Sequence, residues 1–410
     1  MIESWSNLRG ETKPMPWKEW DVKNLRYEFV LRSLSEGISF RALCREYGIE
    51  PKTGYKWKQR FLEEGAAGLA DRSRRPRSHP AKLGEDVICE MVRLKKAHEK
   101  WGPRKLREVY ARQHADRKLP SESSFKRVLE KAGLVQKRRR RPSGDSGRLQ
   151  NRALSESPND VWTVDFKGWW YTPAGERCEP LTVRDDFSRY LLCTSVPENA
   201  RTETVKMEFE RLFDKHGLPQ TIRSDNGIPF AMTKAPLGLS RLSAWWLVLG
   251  IDLDRIDLGC PSQNGGHERM HRDIAYELEG QIAGDLRQQA AALETWRRIF
   301  NEERPHEALG MRCPAELYRN SKRSYKGTPQ SLDYPPEYRQ RQVHQTGTIR
   351  IDGVAIRLTK ALAGWNVGLK ANQPGCFSVH FGRLCLGQLE LEKESFSAAG
   401  DTIQMGAQGE

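Results

Sequence analysis

Hydrophobic positions change their period several times along this 410-residue chain. Over residues 24–64, Leu25, Phe29, Val30, Leu34, Ile38, Leu43 and Tyr47 recur at helical intervals, which predicts short amphipathic helices. Residues 39–49 carry the pattern of a first helix followed by a glycine turn. Pro51 to Phe61 then predicts a second helix, opening on a proline that the first helical turn tolerates. A second helical stretch covers residues 84–135, with Val87, Ile88, Met91, Leu94, Leu106, Val109, Tyr110, Phe125, Val128 and Leu129 in its apolar stripe. Ser121 is the expected N-cap of its last helix. Both stretches read as helix-turn-helix segments.

From about residue 158 the pattern becomes α/β. Residues 161–170, 180–184 and 189–196 read as consecutive strands, 202–216 as a helix ended by Gly217, and 220–224 as a strand. Residues 239–249 predict a helix and 251–255 a strand. Two further helices follow, one capped by Ser262 and one over 287–303. Three strands followed by alternating helices and strands resemble the mixed sheet of an RNase H-like α/β core. After Pro335 the period returns to two, with a hairpin turn at Asp352-Gly353 and later strands over 365–391, which predicts a small β-barrel. The expected divisions are a helix-turn-helix domain (1–70), a basic linker (71–83), a second helix-turn-helix domain (84–136) and a second basic linker (137–157). The core (158–325), a linker (326–345), the barrel (346–396) and a frayed tail (397–410) complete the chain.

Charge changes this picture. The net charge is +14, and residues 1–150 alone hold 36 Lys and Arg against 20 Asp and Glu. An excess confined to the helical third suits a polyanion, and paired helix-turn-helix segments point to duplex DNA. Candidate contacts are Lys52, Thr53, Tyr55, Lys56 and Lys58 on the first recognition helix, and Arg74, Arg75 and Arg77 in the first linker. Arg104, Lys105, Lys126 and Arg127 in the second helical domain and Arg138 and Arg139 in the second linker extend the set. No apolar run is long enough to span a membrane, and the N-terminus lacks a signal pattern, so a cytoplasmic, nucleoid-associated protein is expected. Eight scattered cysteines without a Cys-x-x-Cys pair suit neither a structural zinc site nor a disulfide framework.

Three acids stand out. Asp165 lies inside the apolar run Val161-Trp162-Thr163-Val164-Asp165-Phe166, where a carboxylate is costly unless something compensates it. Asp225 lies at a strand-to-turn junction before Asn226-Gly227, a pair that permits a positive-φ turn. Glu268 lies on a helix after Gly265-Gly266, and that glycine pair suggests a close neighbour such as DNA. Asn264, Glu268, His271 and Arg272 share a helical face and extend the candidate DNA contacts. Two carboxylates from neighbouring strands and one from a helix can hold two divalent ions, and hard oxygen donors suit magnesium, with manganese as a substitute. Asp185 and Asp186 read as turn and structural residues. Asp252, Asp254 and Asp257 are rival acids, lying within the 42 residues that separate Asp225 from Glu268.

The segments Trp162-Thr163-Val164-Asp165-Phe166, Asp185-Asp186-Phe187-Ser188-Arg189-Tyr190, Arg223-Ser224-Asp225-Asn226-Gly227 and Gln263-Asn264-Gly265-Gly266-His267-Glu268-Arg269 resemble the retroviral-integrase-type core of bacterial insertion-sequence DDE transposases. Asn301-Glu302-Glu303-Arg304-Pro305-His306 with Cys313-Pro314-Ala315-Glu316 resembles the end of that core. The resemblance implies Asp165, Asp225 and Glu268 as a catalytic, Mg2+-binding triad. It also implies cleavage and joining of transposon-end DNA to a target, and a homo-oligomer of at least two subunits. The alternative is a non-catalytic DNA-binding protein derived from such an enzyme. No His-His-Cys-Cys module of the retroviral kind precedes the core, and residues around 233–242 account for the long interval before Glu268.

Overall fold

The computed structural model describes residues 21–73, 83–135, 153–232, 235–257, 260–279 and 284–399. They fall into two units, divided after residue 82. The first holds α1 (Val22–Leu34), α2 (Phe40–Glu46) and α3 (Pro51–Glu64), closed by a 3-10 turn at Gly65–Leu69. Phe29, Val30, Leu43, Cys44, Trp57 and Leu69 form its core. The recognition helix α3 starts on Pro51 as expected and runs three residues beyond Phe61.

The second unit begins with α4 (Glu85–Ala97), α5 (Pro103–Gln113) and α6 (Glu122–Lys131). Ser121 caps α6, its hydroxyl accepting from Ser124 N at 3.2 Å. Met91, Leu94, Leu106, Tyr110, Phe125 and Leu129 are buried between the three helices. Arg112 fastens this bundle to the following domain, donating to Glu316 Oε1 at 2.7 Å and to the Met311 carbonyl at 2.9 Å.

A five-stranded sheet follows, built from β1 (Val161–Phe166), β4 (Leu181–Asp185), β5 (Leu191–Ser195), β6 (Thr221–Ser224) and β7 (Asp252–Arg255) in the order β5-β4-β1-β6-β7. A short hairpin of β2 (Trp170–Tyr171) and β3 (Arg177–Cys178) stands between β1 and β4, so the expected 161–170 strand is divided in two. β1 pairs antiparallel with β4 and parallel with β6. Helices α7 (Thr202–His216), α8 (Arg241–Val248), α9 (Gly265–Glu277), α10 (Leu286–Glu302) and α11 (Pro314–Leu317) complete an RNase H-like mixed α/β core. Trp162, Val164, Val183, Phe209, Phe213, Ile222 and Trp246 are buried between the sheet and its helices. Gly217 ends α7 at φ 76, as the sequence predicts.

The C-terminal region corrects the expected barrel. β8 (Tyr338–Gln342), β11 (Asn366–Gln373), β12 (Cys376–Phe381), β13 (Leu384–Glu390) and β14 (Ser395–Ala398) form an open antiparallel sheet in the order β14-β13-β12-β11-β8. The hairpin β9 (Thr348–Ile351) and β10 (Val354–Arg357) is a separate two-stranded sheet, turned at Asp352 (φ 49) and Gly353 (φ 87). No ladder joins the hairpin to the larger sheet, so the strands do not close. The edge strand β8 lies where a linker was expected, and β14 straddles the boundary between the expected barrel and its frayed tail. Their sequences, Tyr-Arg-Gln-Arg-Gln and Ser-Phe-Ser-Ala, have little apolar alternation, since an edge needs only one paired neighbour. The sheet is also not self-sufficient. Leu237, Leu239, Ala244 and Val248, from α8 and the segment before it, share its apolar core. The long interval before Glu268 therefore docks the C-terminal sheet. Among the described residues, no helix is long and apolar enough to cross a membrane.

Candidate active site

Strand register brings two of the acids together. Thr163 of β1 lies opposite Arg223 of parallel β6, so two residues further on Asp165 is level with Asp225 at the carboxyl ends of adjacent strands. Neighbouring strands run about 5 Å apart, which places the two carboxylates in each other's field. Burial pushes Asp165 up to about 7, and the charges of Asp225 and then Glu268 add to that, opposed by a backbone hydrogen bond from Phe166.

Glu268 is brought in by the opposite face of its helix. His267 is fully buried, with Nδ1 2.8 Å from Thr163 Oγ1 on β1 and Nε2 3.0 Å from Thr182 Oγ1 on β4. His271, one turn on, places Nε2 2.8 Å from the same Thr182 hydroxyl. That hydroxyl donates to the Asp165 carbonyl at 2.9 Å, which leaves its lone pairs facing the two histidine rings. Burial holds both rings well below the usual histidine range, His271 at about 3, with Lys167 and Arg184 adding to its depression. His271 Nδ1 lies 3.8 Å from Asp165 Oδ2, yet a neutral ring supplies no countercharge.

The expected helical face is corrected in part. Glu268 and Arg272 are exposed, whereas Asn264 is 6 % exposed and His271 is turned onto the sheet. Asn264 and His271 therefore do not share the exposed face of Glu268 and Arg272, and His271 turns its ring to the Thr182 hydroxyl. The helix also starts later than expected. Residues 261–264 form a 3-10 turn, and α9 begins at Gly265 with Asn264, not Ser262, at the cap position.

Both glycine arguments change. Neither Asn226 nor Gly227 has positive φ. Asp225 Oδ1 accepts from Gly227 N at 3.0 Å, and a Cβ on Gly227 would crowd that carboxylate at 3.0 Å. Gly266 has a close neighbour, but it is the buried Arg184 guanidinium, which a Cβ would meet at 2.2 Å. Nothing lies within 4 Å of a Cβ at Gly265.

The rival acids are occupied. Asp254 holds Arg223 at 2.6 Å, Asp252 holds Arg383 at 2.6 Å, and Asp257 Oδ2 accepts from Gln263 at 2.6 Å. Asp186 bridges Arg184 (2.6 Å) and Arg223 (3.2 Å). Asp185 is completely buried and accepts from Asn159 N (2.7 Å), Ser188 N (2.8 Å) and Ser188 Oγ (2.5 Å), a structural role as expected. The acid set at Asp165 consists of oxygen donors with like charges and, among the described residues, no cationic partner for Asp165, which fits a divalent cation. Among the described residues, no three His, Cys, Asp or Glu side chains are already gathered into a set that holds a metal ion.

Residues that the sequence did not single out also shape the site. Arg304 joins α10 to α9 through Asp273 (2.7 Å) and Glu277 (3.2 Å). Asn301 pairs with the β5 edge, its Oδ1 accepting from Leu191 N at 2.8 Å and its Nδ2 donating to Leu191 O at 2.9 Å. Both lie in the segment marked as the end of the core, but one sequence does not reveal their partners.

On α3, Lys52, Tyr55 and Lys56 are exposed and Thr53 is half-buried. Tyr55 stacks on Phe40 at 4.2 Å, and Lys58 donates to the Ser33 carbonyl at 3.0 Å, so part of that charge serves the domain itself. Lys126 and Arg127 are exposed on α6. Arg104 reaches Glu307 at 3.5 Å, and Lys105 is half-buried. Arg74, Arg75, Arg77, Arg138 and Arg139 lie outside the described residues.

The chain matches the Integrase core domain family over residues 155–259 and a second Integrase core domain family over 249–314. It also matches a Helix-turn-helix domain over 25–77 and a Homeodomain-like domain over 53–129. It is 29% identical over 266 residues to an uncharacterized 31.7 kDa protein of insertion element IS407 from Burkholderia multivorans, covering 63% of this chain and 91% of that protein. An uncharacterized 39.2 kDa protein of insertion element IS476 from Xanthomonas euvesicatoria is 28% identical over 257 residues, covering 62% of this chain and 70% of its own length. A solved HTLV-2 integrase catalytic core domain in complex with magnesium aligns over 40% of this chain and all of its own, at 13% identity and a TM-score of 0.31. Its helix-turn-helix domains make this a DNA-binding chain. Through these domains and these relatives, it belongs to the bacterial insertion-sequence transposases that join a helix-turn-helix N-terminus to an integrase-type core.

Proposed function

We propose that the protein binds the ends of its element, cleaves them to expose 3′ hydroxyls and joins those ends to target DNA, with Asp165, Asp225 and Glu268 as the catalytic residues. The observation that carries this reading is the contrast among the acids. Asp165, level with Asp225 and under the charge of Glu268, has no cationic partner among the described residues, while Asp186, Asp252 and Asp254 are each held by arginine. Asp165, Asp225 and Glu268 would hold two Mg2+ ions, with Mn2+ as a substitute. When bound, such ions activate the attacking oxygen and stabilise the leaving 3′ oxygen of an in-line displacement. The protein's own part is positional. The β1–β6 register sets the two aspartates side by side, and the His267/His271–threonine contacts lock the turn that carries Glu268. The exposed faces of α3 and α6 supply DNA contacts. Two ends are joined in one event, so the working form is a homo-oligomer of at least two subunits.

The test is incubation of the protein with end DNA, Mg2+ and a target plasmid, followed by sequencing of the products. Asp165→Asn, Asp225→Asn and Glu268→Gln are each expected to abolish cleavage and joining while end binding persists. Asp252→Asn is expected to retain both reactions. A wild-type protein that binds end DNA but never nicks it with either metal ion supports a non-catalytic DNA-binding role instead.

A further inference from the structure

Beside α9 lies a cavity of ≈ 50 Å³, partly open to solvent and lined by Lys105, Arg184, Arg189, Gly266, Arg269 and His306. Its cations come from α5, β4, the turn after β4 and the start of the second turn of α9. Arg184 is 4 % exposed and its Nε has no hydrogen-bond partner. Its guanidinium lies against Gly266, at the amino end of a 13-residue helix that Asn264 does not cap with its side chain. A cation at that end opposes the helix dipole, and the first-turn amides favour an anion. Arg189 and Arg269 have no ion pair among the described residues. The acids on the cavity wall are engaged elsewhere, Asp273 with Arg304 (2.7 Å) and Glu307 with Arg104 (3.5 Å). Asp186 offsets part of the Arg184 charge, at 2.6 Å. Burial and then Arg304 lower Lys105 to about 8, Asp273 and Glu277 oppose that, and Arg269 adds a little to it.

We propose that this cavity is an oxyanion site that takes one backbone phosphate of bound DNA, gripped by Arg269, Arg189 and Lys105 against the start of α9. One phosphate would offset the like charges and complete the helix start. Arginine forks match phosphate oxygens, and the site begins two residues before Glu268 in the chain. This assignment rests on the DNA-joining reading, since it is the DNA substrate that supplies the phosphate.

The test has two arms on the full chain, both without divalent metal. In the first, inorganic phosphate is titrated with protein and followed by 31P NMR. The wild type is expected to broaden the signal, and the double variant Lys105→Met, Arg269→Gln to leave it sharp. In the second, end-DNA affinity is measured against salt concentration. Each lost phosphate contact lowers the slope of log K against log salt by about 0.9, so the double variant should show a slope shallower by roughly one. Arg269 is exposed, so Arg269→Gln alone serves if the double variant fails to fold. A slope unchanged by the variants overturns the proposal, and phosphate binding alongside an unchanged slope reassigns the cavity to a free anion. Failure of the wild type to cleave or join DNA would remove the proposed function, while both of these measurements could still be read.

Discussion

Asp165 and Asp185 lie on adjacent strands of one sheet, yet they face opposite environments. Asp185 at the end of β4 receives three protein donors, from Asn159 N, Ser188 N and Ser188 Oγ. Asp165 near the end of β1 meets two other carboxylates and a histidine held neutral. The first is a carboxylate built into the fold. The second is left in an electrostatic state that the protein does not resolve with its own groups. Buried charge alone therefore does not mark a reactive acid. What separates the two is whether the surroundings supply the donors that the charge requires.

The strongest way to break this comparison is to neutralise each acid in turn. Asp165→Asn is expected to lower cleavage and joining by about a thousandfold or more, as loss of several kcal/mol of metal-dependent stabilisation implies. End binding should be kept. The same change should raise the metal-free melting temperature at pH 8, because an unfavourable buried charge is gone. Asp185→Asn should behave in the reverse manner. An amide has only one acceptor oxygen for three donors, so chemical or thermal melts should show a loss of about 1–3 kcal/mol, with or without Mg2+. Equal melting behaviour of the two variants would remove the distinction.

A pH series sharpens it further. The Asp165 carboxyl stands at about 7 in the folded chain, against a usual value near 3.8. Its contribution to stability is complete below about pH 4 and is lost as pH rises through 7. Differential scanning fluorimetry without divalent ions should therefore show a melting-temperature decline over that window that Asp165→Asn lacks. Mg2+ should offset the decline more strongly above pH 7 than below it, since the ion competes with the proton. A metal-induced rise that is the same at pH 5.5 and pH 8 would count against Asp165 as a ligand.

The smallest effects concern the two glycines before Glu268. Gly266→Ala drives a Cβ into the Arg184 guanidinium, which is buried and tied to Asp186, and should cost about 1 kcal/mol net of the helix propensity gained. Gly265→Ala meets nothing within 4 Å and should stabilise by about 0.5 kcal/mol in a urea melt. Matching signs for the pair would show that Arg184 yields freely.

Much of this was legible in the residues. The apolar alternation around Asp165, the helix over Thr202–His216 with its closing glycine, and the paired helical segments all depend on local periodicity, which a single sequence displays. The hairpin turn at Asp352-Gly353 was legible for the same reason. Other features were not. The edge strands β8 and β14 have little pattern because half of their hydrogen bonding faces away from the sheet. The start of α9 was misplaced because the preceding 3-10 turn has no distinct residue signature. The glycine at 266 was legible as a demand for space, but not as a demand made by Arg184, 82 residues away in the chain.

The sequence by itself determined which residues are acids, where the chain is basic, and which segments are periodic enough to be helices or strands. Those properties are local, set by side-chain chemistry and by spacings of two and about four residues. Only the tertiary structure decided which acids remain uncompensated. Asp252, Asp254 and Asp186 carry the same side chain as Asp165, but each has an arginine brought to it from elsewhere in the chain. Electrostatic compensation acts over a few ångströms of space, and the packing of β1, β4, β6 and α9 sets those distances.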